Sequence, residues 1–296
     1  MNVMVTGASG FIGKHVVEAM STEPAVDNIF ALYRNKEQIA FLPKVNPVIG
    51  DLDSLPSIKV DARIDIIVHL AGYYKTETKK LCEKINVDGT KNTVSFCREN
   101  NIPRIIFFST INVNLKTKGC YAASKEKAEE IVRNSGIEYM IVRPSLVYAG
   151  RAGSLGRIIG YAEKFPILPI FGSGKAKEQP IHINELVDLT LMMIKDFKPG
   201  AEIYAAGRDA MPFSALVRTI GTCIGKKVRI MPIPAKPVYW LVKLAEKAGI
   251  HPGLSSEQIA HMSQDLTADM TETLKLYPIE LKPFEENIKS DLKGKR

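Results

Sequence analysis

The chain has 296 residues, 45% of them apolar and 24% charged, enough for one large core plus a smaller lobe and too apolar for a disordered chain. The net charge of +8 is scattered as Lys along helical patterns with a final cluster in KSDLKGKR, and no basic stripe is interleaved with aromatics, which argues against a nucleic-acid partner. Cys82, Cys97, Cys120 and Cys223 are widely spaced, with no CxxC pair or Cys/His cluster, which argues against a metal centre and for a reducing compartment.

The opening MNVMVTGASG reads as a strand and a turn, not as a signal leader. No run approaches ~18 uninterrupted apolar residues. A cytoplasmic protein without a membrane span is expected. Strands are predicted at 2–7, 28–34, 46–52, 65–72, 104–110 and 139–145, with helices at 11–20, 78–100 and 121–135 between them. The strand runs are continuously apolar, so both faces are expected to lie buried under helices. This alternation predicts an α/β fold with a doubly wound parallel sheet.

After about residue 150 Gly and Pro become frequent, and helices are predicted at 184–196, 213–224 and 236–248. The expected organisation is a dinucleotide-binding domain over 1–150 and a smaller mixed α/β substrate lobe over 151–296, some segments of which can return to the main sheet. PVYWLVKLAEKAG (237–249) carries an apolar stripe with Lys and Glu opposite and reads as a packed amphipathic helix, not a membrane anchor.

VTGASGFIGKHVVEAM places Gly7, Gly10 and Gly13 directly after a strand and directly before a helix. Gly7 suits the tight turn, Gly10 a close backbone approach to a pyrophosphate, and Gly13 close packing of helix on strand. The free N–H groups at the helix start, around Phe11 and Ile12, favour an anion. The second strand ends ALYRN, without the carboxylate that would hold a ribose diol. Arg34 instead suits a 2′-phosphate, so NADP(H) is expected, with NAD(H) as the alternative. Asp51, in GDLDS with Leu52 beside it, is placed to accept from an adenine amino group. In HLAG, Leu70, Ala71 and Gly72 end the fourth strand, and its small residues allow a close-lying cofactor.

In YAASKEKAEEI a predicted helix puts Tyr121 and Lys125 on one face. A nearby ammonium is expected to lower the phenol from its ordinary value near 10 and fit it for proton transfer at a carbonyl or alcohol. A hydroxyl at the preceding strand end, Thr110 or Ser109, suits the same oxygen.

TGASGFIG (6–13), GDL (50–52), HLAG (69–72), NVDGTKN (86–92), FST (108–110), YAASK (121–125) and VRPSLVY (142–148) together resemble an extended short-chain dehydrogenase/reductase of the NAD-dependent epimerase/dehydratase type. FGSGKAKEQPIHINELVDL (171–189) resembles the segment after the cofactor domain in nucleotide-sugar epimerases and reductases, and in atypical members related to an accessory subunit of respiratory complex I. The resemblance implies a Rossmann-type sheet, Tyr121 as acid/base, Lys125 on the nicotinamide ribose and Thr110, ahead of Ser109, as the catalytic hydroxyl. It further implies that Asn86 supports the helix beneath the site, that backbone after Pro144 meets the carboxamide, and that a homodimer through the Tyr121 helix is an option. In this chain the loop from Thr110 to Tyr121 spans only eleven residues, and Gln179, with Lys177 nearby, stands where relatives often have a basic residue.

His15, His69 and His182 are read as packing or hydrogen-bonding residues, Cys120 as no nucleophile, and the Glu/Lys run at 125–130 as a solvated helix face. The expected activity is hydride transfer at a carbonyl or alcohol carbon of a small-molecule substrate, foremost a nucleotide-activated sugar. A carbonyl reductase of steroid, flavonoid or aldehyde type is the alternative within that class. A nucleotide-binding sensor or assembly subunit is the alternative outside it.

Overall fold

The structure is a computed structural model that describes residues 1–39, 41–74, 79–153, 155–250 and 255–293. Residue 78 of the predicted helix 78–100 and residues 294–296 of the basic tail lie outside the described residues.

The first half alternates as predicted: β1 (Asn2–Thr6), α1 (Phe11–Thr22), β2 (Asn28–Tyr33), β3 (Val45–Ile49), β4 (Ile66–His69), α2 (Lys79–Cys82), α3 (Gly89–Glu99), β5 (Arg104–Phe108), α4 (Cys120–Arg133) and β6 (Glu138–Pro144). Between α2 and α3 the chain winds as a π-helix over Glu83–Asp88. The second half adds β7 (Val147–Ala149), β8 (Ala152–Gly153), α5 (Gly156–Lys164), β9 (Ile167–Phe171), β10 (Lys177–Glu178), β11 (Ile181–His182) and α6 (Ile183–Lys195). It continues with β12 (Glu202–Ala205), β13 (Met211–Pro212), α7 (Phe213–Cys223), β14 (Arg229–Ile233), α8 (Ala235–Lys247), α9 (Ser256–His261), α10 (Thr271–Leu276) and α11 (Phe284–Lys293).

Seven strands form one parallel sheet in the order β12-β6-β5-β4-β1-β2-β3. Successive residues of a strand serve opposite cores. Val3, Val5, Ile66, Val68 and Ile106 pack with α1 and α6 on one face. Met4, Ile67, Ile105 and Phe107 pack with α3 and α4 on the other. Covering both faces explains the continuous apolar runs, each large buried side chain contributing roughly 1.5–3 kcal/mol. β3 departs from the expectation of two buried faces: Asn46, Pro47 and Ile49 are exposed. It is the edge strand, where Pro47 has no outer ladder for its missing N–H to break.

The order reverses between β1 and β4, which opens a crevice beyond their carboxyl ends. β12, from the second half, extends the sheet by pairing parallel with β6. α6 starts on a capping box in which His182 accepts from the Asn184 N–H and Glu185 accepts from the His182 N–H. A third cluster around Tyr148, Leu155, Leu216, Ile220 and Phe284 holds the second half together. α8 departs from the packed helix expected at 237–249, because none of its residues is buried.

Candidate active site

The glycine loop is fixed by three close approaches. Gly7 has φ +73°, and a Cβ there would stand 2.6 Å from the Ala71 nitrogen. A Cβ at Gly13 would stand 2.1 Å from the Gly7 carbonyl oxygen, so α1 could not lie this close to β1 with any other residue there. The Gly10 N–H closes the turn on the Gly7 carbonyl at 2.9 Å.

Beside the loop, at the switch point, lies a cavity of about 450 Å³. Gly7, Gly10, Arg34, Asp51, Leu52, Leu70, Ala71 and Gly72 all line it, so residues from four separate loops converge there. Phe11, Ile12, Gly13, Lys125 and Pro144 do not line it: the Phe11 ring lies against Gly153 and edge-on to His15, Lys125 Nζ lies over the Phe107 ring, and Pro144 ends β6 opposite Ala205. Asp51 already accepts from the Ser54 N–H at 2.8 Å, and that bond holds its carboxyl below the usual range. Ser9, Gln38, Tyr73 and Lys84 also line the cavity and were missed in the sequence. Ser9 lies inside the glycine motif and Tyr73 directly after HLAG, so adjacency was the available signal. Lys84 comes from the π-helix and pairs with Asp53 at 2.7 Å, a contact no local pattern announces.

Beneath the cavity runs a buried hydrogen-bond chain. Thr90 Oγ1 donates to the Asn86 carbonyl at 2.6 Å, so it accepts from His69 Nε2 at 3.2 Å. His69 Nδ1 then accepts from the Thr6 hydroxyl at 2.6 Å. Burial, and secondarily the Lys125 charge, push the imidazole down to about 3, so it stays neutral, the structural role expected of it. The Asn86 amide donates to the Tyr73 carbonyl and to Ser124 Oγ, both at 2.9 Å, and its Oδ1 accepts from the Tyr73 N–H at 2.7 Å. Ser124 in turn donates to the Tyr121 carbonyl. One amide on a π-turn thus locks the cavity wall to the helix carrying Tyr121, a setting in which π-turns recur.

At the start of α4, Tyr121 is half-buried, and the Thr110 hydroxyl is the group that favours its ionised form. The structure therefore brings together Thr110 with Tyr121, not Ser109. The phenol is not lowered as expected. Burial pushes it up to about 12, with only the Thr110 hydroxyl pulling it down. The reason lies in Lys125, 3% exposed, whose Nζ sits 4.0 Å over the Phe107 ring. Burial drives this ammonium down to about 7 against the pull of Glu129, so it is only partly charged at neutral pH. Cys120 and Cys82 approach Sγ to Sγ at 2.7 Å and fasten the end of α2 to the start of α4.

The run at 125–130 is not a solvated face throughout. Lys125 and Glu129 are buried. Glu129 accepts from Arg143 Nε at 2.8 Å and Nη2 at 2.7 Å, and from Arg133 Nη2 at 2.7 Å. Both arginines also donate to Glu202 of β12. Burial raises Glu129, but the Arg143 bonds, the Ser109 hydroxyl and the two guanidinium charges outweigh it and hold the carboxyl below its ordinary value.

Gln179 is buried: its amide donates to the Gly207 carbonyl at 2.8 Å and accepts from the Ala268 N–H at 2.9 Å. His182 caps α6 and pairs with Asp291 at 3.2 Å, and His15 bonds the Phe11 carbonyl at 2.8 Å, the hydrogen-bonding roles expected of them. Among the described residues no group of three or more His, Cys, Asp or Glu could hold a metal, and no helix is long and apolar enough to cross a membrane.

The model of the NAD dependent epimerase/dehydratase family matches residues 3–207. Ceramide reductase of Caulobacter vibrioides is 27% identical over 242 residues, 78% of this chain and 73% of that protein. UDP-glucose 4-epimerase of Vibrio cholerae is 24% identical over 277 residues, 83% of this chain and 81% of that protein. The solved UDP-glucuronic acid 4-epimerase of Bacillus cereus, in complex with UDP-glucuronic acid and NAD, superposes with a TM-score of 0.77 at 18% identity, covering 99% of each chain.

Proposed function

The chain belongs to the NAD dependent epimerase/dehydratase family, and from that we propose that it binds a nicotinamide dinucleotide and transfers hydride at a carbonyl or alcohol carbon, foremost of a nucleotide-activated sugar. The observation that carries the reading is the Thr110 hydroxyl acting on the Tyr121 phenol, with Lys125 one turn on, at the sheet edge that also holds the glycine-lined cavity.

The residues fit a dinucleotide. The cradle at Gly7 and Gly10 leaves backbone uncovered where a Cβ would intrude, and about 450 Å³ is within the range of small-ligand sites, roughly 300–1,000 Å³. Gly7, Gly10 and the first N–H groups of α1 would meet the pyrophosphate, and Ala71 and Gly72 would leave room along the chain of the cofactor. Arg34 supports NADP(H), with NAD(H) as the alternative. When bound, the nicotinamide supplies or accepts the hydride. The protein's part is the proton: Tyr121, at about 12, holds it at neutral pH and gives it to a carbonyl oxygen. Thr110 eases release of that proton and bonds the same oxygen, and Lys125 binds the ribose.

A second reading, reduction of a ketone that carries no nucleotide, is favoured by Gln179. Its side chain is spent on Gly207 and Ala268, so it offers no cation to a diphosphate. One relative, from Caulobacter vibrioides, is a ceramide reductase. One experiment tests both: hydride exchange and reduction are measured with wild type and Tyr121→Phe on keto-sugar nucleotides and on long-chain ketones. Turnover lost in Tyr121→Phe with dinucleotide binding intact supports the proposal, and the active panel names the substrate class. No turnover on any carbonyl by a wild type that binds dinucleotide tightly overturns it.

A further inference from the structure

α8 turns its most apolar side chains outward. Trp240, Leu241 and Leu244 are 64%, 68% and 67% exposed. At about 100° per residue these three share one stripe of the helix. Val238, Val242 and Ala245 form the half-buried flank toward the protein, and Glu246 on that side accepts from both the N–H and the hydroxyl of Ser256 at the start of α9. A helix that only packs on its own domain has the reverse arrangement, with the large apolar residues inside.

Charge completes the pattern. Lys236, Lys243 and Lys247 line the other side of the apolar stripe. Lys243 Nζ donates to the Tyr239 hydroxyl at 3.0 Å and lies 5.2 Å from the ring centres of both Tyr239 and Trp240, while Lys236 and Lys247 are exposed. From Lys226 to Ile250 the chain has six cationic side chains and one carboxylate, the engaged Glu246. β14, which leads into α8, exposes Met231, and Ile167 is exposed on its partner strand β9.

We propose that α8 docks the protein on an anionic lipid bilayer, lying in the interface with Trp240, Leu241 and Leu244 in the acyl boundary and the lysines among the headgroups. A Trp/Leu stripe flanked by lysines is the composition of an interfacial helix, and the positive flank selects anionic lipid over a neutral surface. The helix ends after 13 residues, too short to span. The proposal is independent of the catalytic reading and places a reaction centre of any kind at a membrane surface.

Trp240 is the chain's only tryptophan, so its fluorescence reports this helix alone. The full chain is mixed with vesicles of phosphatidylcholine, or of phosphatidylcholine with about 30% phosphatidylglycerol. Expected are co-sedimentation with the anionic vesicles, a blue shift of Trp240 and its quenching by brominated acyl chains. High salt weakens all three. Leu241→Ser with Leu244→Ser abolishes the shift, and each of Lys236→Gln and Lys247→Gln lowers the partition coefficient about fivefold. The melting temperature of these variants stays that of wild type, since the side chains are exposed. Sedimentation without a Trp240 shift, equal binding to phosphatidylcholine alone, or no binding overturns the proposal. So does a stable dimer, dissociated by Leu244→Glu, that binds no vesicles.

Discussion

The Thr110 hydroxyl, just past the end of β5, favours the ionised form of Tyr121 in the first turn of α4. The hydroxyl lowers the phenol, so its loss raises the energy of the ionised form. Thr110→Val keeps the shape and removes the hydroxyl. Its kcat is expected to fall about tenfold or more, with the alkaline limb of the pH profile moving up. Ser109→Ala is expected to change kcat by less than about threefold. Equal losses in the two variants would remove Thr110 from its assigned place.

Lys125 carries a stability cost that can be read from pH. Its ammonium titrates at about 7 in the folded protein and near 10.4 in an unfolded chain. Between these values the unfolded chain holds the extra proton, so stability from this site rises with pH across that window. Below about 7 the full cost applies, on the order of 4 kcal/mol for a group this buried. Lys125→Met is therefore expected to be inactive yet more stable by a few kcal/mol at neutral pH, the gain shrinking as pH approaches 10.5. Urea unfolding of both proteins at pH 7 and pH 10 measures it; a variant less stable at pH 7 contradicts the buried-charge account.

The sequence was legible where one short stretch carries the whole cause. Val3 to Val5 and Ile105 to Phe108 announce strands buried on both faces, and Gly7, Gly10 and Gly13 announce a turn only glycine fits. His69 read as structural because it sits in such a strand. What was not legible depends on partners distant in the chain. Glu129 looks like a solvated helix residue until Arg143 and Glu202, on two neighbouring strands, are brought to it. Lys125 was expected to lower the Tyr121 phenol, but its burial on the inner side of α4 takes part of its charge away. Asn46 and Pro47 face solvent because β3 is last in the sheet, an order only the tertiary structure sets. α8 had a period that announced a helix, but a period does not say which stripe faces the protein.

Arg34 lines the cavity where the second strand ends without a carboxylate. A guanidinium paired with a 2′-phosphate contributes a charge-assisted hydrogen bond of about 1.5–3 kcal/mol. Arg34→Ala is expected to weaken NADP(H) binding by roughly 10- to 100-fold and to leave NAD(H) within about twofold. Titration calorimetry with both dinucleotides reads the difference. An unchanged ratio discards the 2′-phosphate role and returns the choice to NAD(H).

Glu129 links the stability of the sheet to the charge of Lys125. It is 2% exposed, held by Arg143 and Arg133, and is the group that draws the Lys125 value upward. Glu129→Gln leaves the Arg143 guanidinium with only Glu202 to neutralise it, at a cost of about 3 kcal/mol. The Tm at pH 7 is expected to fall by roughly 5 °C. The sign with pH follows from the lowered carboxyl. The stability it contributes is fully present above the unfolded value near 4.3 and is lost as pH falls through the lower folded value, so the gap between wild type and variant closes in acid. Removing this negative charge also lets the Lys125 value fall further, so less of the ammonium survives at pH 7. The activity profile is then expected to move to lower pH, while Arg133→Gln, which perturbs the network at its exposed end, moves the Tm slightly and the profile not at all. A Glu129→Gln variant that loses stability with an unmoved pH profile would confine the network to holding β12 against β6.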